Sequence, residues 1–408
     1  MNILLSAYHC APNMGSESGI GWHFAIELAR HHKITAIISD TRKPFIEQSL
    51  KGSSIENLEI IYYGLPSWVK RFYKPATASE HIYYFLWQIG LYYFSRKIIR
   101  ERNINLIHHI TLGVFRIPSF MWMHGKPFVF GPVGGGEESA VPLRKSLPAK
   151  FRRIEWLRSR INKFSRFTPG LNSCLKNSDL ILLRTSDNLR HIPAKFHHKC
   201  KVLLGVGIEH IHEIQEKPAD QKFSILYTGR LIYWKGVHLA IKAFASIQHR
   251  HAELDFTIVG SGSESDWLKD IAKQEGVYEK INWIPRVQQQ VLFQMYRDYD
   301  VFLFPSLHDS GGEVVLEALS YGLPVICLDS GGPKEMVDSS CGAVIRTDYG
   351  GEHEVVTEIA VTLLRMLDNP DMLQQMRKNA ILKAQTQTWD KVKERAYEMI
   401  ADDLYDLA

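Results

Sequence analysis

Cysteine is scarce and follows no pattern. The five cysteines, Cys10, Cys174, Cys200, Cys327 and Cys341, are scattered, odd in number and never arranged as CxxC. That excludes a disulfide framework and a structural zinc, and fits a reducing compartment. Long apolar runs are missing as well: the longest, IYYFLWQIGLYYF at 82–94, has about 13 residues where a spanning helix needs roughly 20. No transmembrane helix is expected. The opening MNILLSAY has neither a basic leader nor a cleavage site and reads as a first strand rather than a signal peptide. The chain has no short-period repeat, low-complexity tract or long linker. A GxGxxG dinucleotide fingerprint and a GxxxxGK P-loop are both absent. No grouping of His, Cys and acidic residues has metal-ligand spacing, so neither a metal nor a cofactor is expected.

What is present is an ordinary globular composition, 45% hydrophobic and 23% charged over 408 residues, long enough for two or three domains. The net charge of +5 conceals an asymmetry. Residues 1–208 hold 29 Lys and Arg against 13 Asp and Glu, and residues 209–408 hold 20 against 31. A basic half suits nucleic acid, a membrane surface or an anionic substrate. Short apolar runs alternate with amphipathic stretches in both halves: NILLSA, ITAIIS, LEIIYY, INLIHHI, PFVFG, DLILLR and KVLLG, then FSILYTG, LDFTIVG, KINWIP, VFLFPS, PVICL and GAVI. The alternation predicts parallel sheets wound on both sides. It gives two α/β domains in tandem, with the boundary near GVGIEH at 205–210. The domains are read as 1–208 and 209–388.

In such sheets ligands bind beyond the carboxyl ends of the strands, so the loops there hold the candidates. After the first strand, YHCAPNMGSESGIGW offers Gly15, Gly19 and Gly21 at a helix start, where backbone N–H groups attract phosphate. A plain tight turn would use the same residues. GPVGGGEES at 131–139 and GSGSES at 260–265 are further glycine loops. TGRLIYWKG at 228–236 supplies Arg230 and Lys235, either solvated surface cations or a grip on a diphosphate. HDSGGEVVLEALSYGLPVI at 308–326 places Asp309, Glu313 and Glu317 at i, i+4, i+8 on an expected helix. Like charges so spaced repel. A cleft with both signs of charge suits a ligand bearing phosphates and hydroxyls.

Together these stretches resemble the retaining glycosyltransferases of family four, the group 1 enzymes of GT-B fold. The resemblance runs over nearly the whole chain, through GSESGIGW, GRLIYWKG, the glycines at 260–262, PSLHDSGGEVVLEALSYGLPVI and a final TWDKVKERAYEMI. It implies two Rossmann-like parallel-sheet domains facing across a cleft, with the last helix, about 389–408, crossing back to the first domain. It also implies a nucleotide diphosphate sugar held by Arg230 and Lys235 at the diphosphate and by Glu317 at the ribose. Amides of Gly311, Gly312, Glu313 and Val314 would reach the sugar and phosphates, Asp309 a sugar hydroxyl, and Gly15 the diphosphate. The family's acidic motif falls on Asp309 and Glu317, although Asp stands where Glu is usual. Glu313 replaces an apolar residue there and is either a second sugar contact or a solvated helix charge. Of His108 and His109, which point to opposite faces of one strand, His109 is preferred near the sugar, with Ile110 or a structural histidine as alternatives.

The activity implied is transfer of a hexose-type unit, without a metal, to a hydroxyl of a glycan or lipid-linked acceptor in surface polysaccharide biosynthesis. A nucleotide-sugar epimerase or phosphorylase on the same fold is the rival enzyme. A nucleic-acid-binding module is the rival outside enzymology, and no nucleic-acid motif supports it. FRRIEWLRSRINKFSRF at 151–167 spaces Phe151, Ile154, Leu157, Ile161 and Phe164 helically among Arg and Lys. This predicts a cytoplasmic protein with a helix lying on the anionic inner membrane face, unless the stripe faces the core.

Overall fold

A computed structural model describes all residues except 13, 15, 16, 72, 74–77, 215–221, 250, 252, 253 and 406–408. The chain divides into two compact units. The first comprises Met1–Gly136, Arg160–Val206 and Trp389–Ala408; the second comprises Glu137–Ser159 and Gly207–Thr388. The main break thus falls beside GVGIEH. A second feature was not anticipated: Glu137–Ser159, which the sequence reading kept in the first domain, packs within the second unit.

Among the described residues seven strands form the sheet of the first unit: β1 (Asn2–Ala7), β2 (Lys33–Ser39), β3 (Leu58–Tyr63), β4 (Leu106–Thr111), β5 (Phe128–Val133), β6 (Leu180–Leu183) and β7 (Cys200–Val202). Their order is β3-β2-β1-β4-β5-β6-β7, with every pairing parallel. Strands β4, β5 and β6 are buried at every position, because helical crossovers cover both faces of a parallel sheet. The helix Ala78–Glu101 lays Tyr83, Tyr84, Trp87 and Leu91 on the core. Full burial of each such side chain contributes about 2 kcal/mol. The same helix exposes Ile82, Leu86 and Tyr93, so its apolar run is spread over both the buried and the exposed face. Among the described residues no helix is long and apolar enough to cross a membrane.

The helix Trp389–Tyr405 belongs to the first unit. Trp389 stacks on His23 at 4.3 Å and Asp390 pairs with Arg30 at 3.2 Å, while Ala396 and Ile400 are buried.

Among its described residues the second unit has six strands, β8 (Phe223–Thr228), β9 (Leu254–Val259), β10 (Ile281–Ile284), β11 (Val301–Phe304), β12 (Val325–Leu328) and β13 (Gly342–Ile345). They run parallel in the order β10-β9-β8-β11-β12-β13. Here β8 and β11 are neighbours although two strands separate them in sequence. The winding direction reverses between them, and that switch point is where an open α/β sheet leaves a crevice for ligand. Sequence alternation also merged what the structure separates: the helical region expected over 147–176 is Ala149–Phe164, a short 3-10 turn Ser165–Phe167 and Leu171–Asn177. Gly170, in a left-handed conformation, caps the last of these.

Candidate functional site

Both loops singled out in the second half leave the sheet at its switch point. The loop after β8 carries Arg230, buried Leu231 and Ile232, and a 3-10 turn Tyr233–Lys235. It closes on Gly236, whose φ is +70°. A Cβ there would stand 1.7 Å from the Pro305 carbonyl oxygen, so this loop lies directly against the loop after β11. Two hydrogen bonds to the Trp234 carbonyl fasten them, from Leu307 N at 2.8 Å and Ser306 Oγ at 3.1 Å. The glycines of GSGSES have a related purpose. A Cβ at Gly260 would lie 1.9 Å from the Gly229 carbonyl oxygen, so packing of adjacent loops accounts for that glycine.

Lys235 and Asp309 form an ion pair across the two loops, with side chains 13% and 19% exposed. The Lys235 ammonium also sits 4.9 Å from the centre of the Phe304 ring, a cation–π contact. Arg230 is exposed, with its guanidinium 5.9 Å from the Trp234 ring centre. Gly311 N donates to Asp309 Oδ1 at 3.4 Å. Gly312, with φ +68°, caps the helix Glu313–Ser320. Glu313 and Val314 open that helix and are half-buried. The first N–H groups of a helix have no acceptor within it and its dipole is positive there, so this end favours anions.

Glu317 lies one turn on from Glu313. Tyr296 Oη donates to its Oε2 at 3.1 Å and lies 3.2 Å from Thr228 Oγ1 at the end of β8. Burial, with a smaller contribution from the Glu313 charge, pushes the Glu317 carboxyl up to about 7 against the help of the Tyr296 hydrogen bond. A buried acid with one donor and spare acceptor capacity is suited to hydroxyl groups of a ligand.

In the first unit, His109 is fully buried. Its Nδ1 lies 3.1 Å from Ser6 Oγ and its Nε2 3.0 Å from Tyr84 Oη. Burial lowers its pKa to about 3. Both ring nitrogens are engaged inside the protein, which is the structural-histidine alternative rather than a contact to a sugar. His108 is buried on the other face, with Nε2 2.7 Å from the Gly131 carbonyl oxygen. Gly15 lies outside the described residues.

Sequence reasoning missed five participants. Glu155, with a fully buried side chain, accepts from Tyr233 Oη at 2.9 Å and lies 3.0 Å from His308 Nε2. Burial pulls His308 down and alone would push the Glu155 carboxyl up. The hydrogen bonds from His308 and Tyr233 outweigh burial and hold Glu155 below the usual carboxylate range. Buried Glu137 accepts from Ser310 Oγ at 2.5 Å. Tyr233 and His308 stood in quoted motifs, but their carboxylate partners are far away in sequence.

A parallel α/β unit with cations, acids and a helix start gathered at its switch point has the chemistry that suits a ligand with phosphate and hydroxyl groups. Residues 208–383 match the family described as "Glycosyl transferases group 1". An uncharacterized glycosyltransferase of Methanocaldococcus jannaschii is 36% identical over 118 residues, 29% of this chain and 30% of that protein. A glycogen synthase of Mycobacterium tuberculosis is 28% identical over 211 residues, 49% and 50% of the two chains. The chain thus spans half or less of the length of these curated relatives. Among solved structures, the apo form of the lipopolysaccharide outer core galactosyltransferase WaaB superposes with a TM-score of 0.64 at 14% identity, covering 98% of this chain and 99% of that one. Anabaena HepE in complex with UDP gives 0.60 at 15%, covering 98% and 100%. The fold is that of the GT-B glycosyltransferases.

Proposed function

We propose that the protein is a retaining, metal-independent glycosyltransferase. It takes a hexose-type unit from a nucleotide diphosphate sugar to a hydroxyl of a glycan or lipid-linked acceptor in surface polysaccharide biosynthesis, at the cytoplasmic face of a membrane. The observation that carries the reading is the convergence of Arg230, Lys235, Asp309 and Glu317 on the two neighbouring loops of the switch point and the helix that follows. The UDP bound by HepE, a protein of the same fold, supports a nucleotide as the ligand.

In this reading Arg230 and Lys235 grip the diphosphate, Arg230 by its planar fork. Amides of Gly311, Gly312, Glu313 and Val314 add donors, and Glu317 accepts from the ribose. Asp309 exchanges its ammonium partner for a sugar hydroxyl as Lys235 turns to phosphate. The bond from the anomeric carbon to the diphosphate oxygen breaks and a bond to the acceptor oxygen forms on the same face. The acceptor's proton passes to the departing phosphate. Catalysis rests on positioning and on stabilising the leaving charge, which fixed cations and helix-start amides supply in place of Mg²⁺.

The membrane reading draws on the helix Ala149–Phe164. Its stripe turns outward: Ile154, Trp156, Leu157, Ile161 and Phe164 are 43 to 58% exposed. Phe151, expected in that stripe, points inward instead and stacks on Tyr233 at 4.4 Å. Arg152, Arg153, Arg160 and Lys163 are exposed on the same helix, and each basic residue near an anionic surface contributes about 1 kcal/mol.

A thermal-shift screen of UDP-, GDP- and ADP-sugars, followed by turnover of the stabilising donor, tests the function. Glu317→Ala should weaken nucleotide binding by one to two orders of magnitude, the effect of about 1.5 to 3 kcal/mol for a lost charge-assisted hydrogen bond. Asp309→Ala should cut turnover while affecting the free nucleotide less. Full transferase activity in both variants would refute the assignment, and release of free sugar phosphate or an epimerised donor would identify a different reaction.

A further inference from the structure

The segment Glu137–Ser159 enters the second unit with two buried carboxylates, and both engage the donor loops. Glu155 Oε1 takes Tyr233 Oη at 2.9 Å and His308 Nε2 at 3.0 Å. Glu137 Oε2 takes Ser310 Oγ at 2.5 Å. His308 and Ser310 are the residues on either side of Asp309, and Tyr233 stands two residues before Lys235. The segment is itself braced: Arg158 Nε donates to the Glu137 carbonyl at 2.9 Å, and Arg144 Nη2 to Glu138 at 2.9 Å. Arg144 Nη1 reaches Ser159 Oγ at 2.7 Å. Aromatic contacts run in parallel, with Phe151 stacked on Tyr233 and the His308 ring parallel to Trp234, 9° between planes and 5.9 Å between centres.

We infer that Glu155 is a positioning residue of the donor site. By accepting from one residue in each loop, it sets the separation of Lys235 and Asp309, and hence the spacing between the diphosphate grip and the sugar contact. Glu137 restrains the far side of Asp309 through Ser310. The inference rests on the donor-site reading proposed above. A single acceptor shared by two loops is also an economical place for the fold to specify their register. The loops already meet through the Trp234 carbonyl, but those bonds, from Leu307 N and Ser306 Oγ, hold the backbone of one loop, whereas Glu155 fixes the side chains next to the two charged groups.

The test compares wild-type protein with Tyr233→Phe, Glu155→Gln and Glu155→Ala. Tyr233→Phe removes one hydroxyl and keeps the ring on Phe151, and His308 still reaches Glu155, so it should fold with a melting temperature lowered by only a few degrees. Titration calorimetry with UDP, GDP and ADP identifies the nucleotide that the wild type binds; turnover of the corresponding sugar donor follows. Tyr233→Phe and Glu155→Gln should lower kcat/KM about ten-fold, with the larger part in kcat and with free-nucleotide affinity changed much less, because the amides and cations persist while their spacing drifts. Glu155→Ala should be worse than Glu155→Gln, which keeps an acceptor oxygen. A folded Tyr233→Phe protein with kcat and KM within two-fold of wild type overturns the inference while leaving the donor site intact. Wild-type protein that binds none of the three nucleotides refutes the donor-site reading instead.

Discussion

Glu317 offers a prediction in which the sign and size both come from its surroundings. Its carboxyl is raised from an ordinary 4.5 to about 7, chiefly by burial. At 1.36 kcal/mol for each tenfold change in the ionisation constant, holding the ionised form costs the ligand-free protein on the order of 3 kcal/mol. The folded state binds this proton more tightly than the unfolded state, so the contribution to stability is fully present below pH 4.5 and is lost as pH rises through 7. Chemical denaturation of wild type and Glu317→Gln between pH 4.5 and 8 isolates the group: wild-type stability should fall relative to the variant across that window. Binding of a nucleotide sugar, whose diphosphate keeps a fixed charge over this range, should reverse the preference, because ribose hydroxyls donate to the ionised form. Calorimetry at pH 6.5 in two buffers of different ionisation enthalpy should then report release of more than half a proton in the wild type and none in the variant. A stability difference that does not vary with pH, together with no proton release, would refute the reasoning about Glu317 and leave its ribose contact without support.

Further outcomes follow from other parts of the molecule. Replacing Arg230 with Ala should impair binding of the donor diphosphate, Arg230→Lys should not restore it if the fork geometry matters, and turnover should survive EDTA; strict dependence on a divalent ion would contradict the metal-free mechanism. Gly236→Ala should abolish donor binding or fold poorly, since its Cβ would meet the Pro305 carbonyl oxygen at 1.7 Å; a variant of normal stability and affinity would show that the two loops need not touch. Co-sedimentation with vesicles containing anionic lipid should recover the protein, less so at high salt, and should fail when Arg152, Arg153, Arg160 and Lys163 become Ser. Arg158 is left in place because it braces the Glu137 carbonyl. Equal recovery with and without anionic vesicles would mean that the acceptor is met in solution.

Much of the fold is legible in the sequence because a parallel sheet writes itself as apolar runs. Runs such as FSILYT and LIHHIT are buried throughout; the first is followed by the helix Val237–Gln248, which returns the chain, the second only by the short 3-10 turn Met121–His124. That pattern reports strands and their direction. It does not report strand order, and so the adjacency of β8 and β11, which makes a site of two separate loops, came only with the structure. Periodicity also failed over 147–176, where three helical pieces read as one. Pro169 and Gly170 break the run after the 3-10 turn, a signal that was present and outweighed by the repeating apolar residues. The His pair shows the opposite limit. Strand alternation correctly separates the faces of His108 and His109, but whether a face is filled by core depends on Tyr84 and Ser6, distant in sequence.

The candidate donor loops were readable because their chemistry is local: cations, acids and glycines sit within a few residues of one another after a strand. Their scaffold was not, since Glu137 and Glu155 reach them from 78 to 173 residues away. One trace of that scaffold does exist. Between residues 139 and 178, Glu155 is the only acid in a stretch dense with Arg and Lys, and it stands four residues after Phe151, which places both on one side of a helix. A single carboxylate aligned with an aromatic, in a helix otherwise basic, fits an inward-facing residue with a fixed partner better than a solvated one. The outward stripe of Ile154, Leu157 and Ile161 is consistent with this, because a helix that shows its aliphatic side to solvent and buries a glutamate has inverted the usual arrangement. Burying a carboxylate carries a desolvation cost that hydrogen-bond partners must offset. Those partners are Tyr233 and His308, so the inverted helix and the ordered donor loops have a common physical cause.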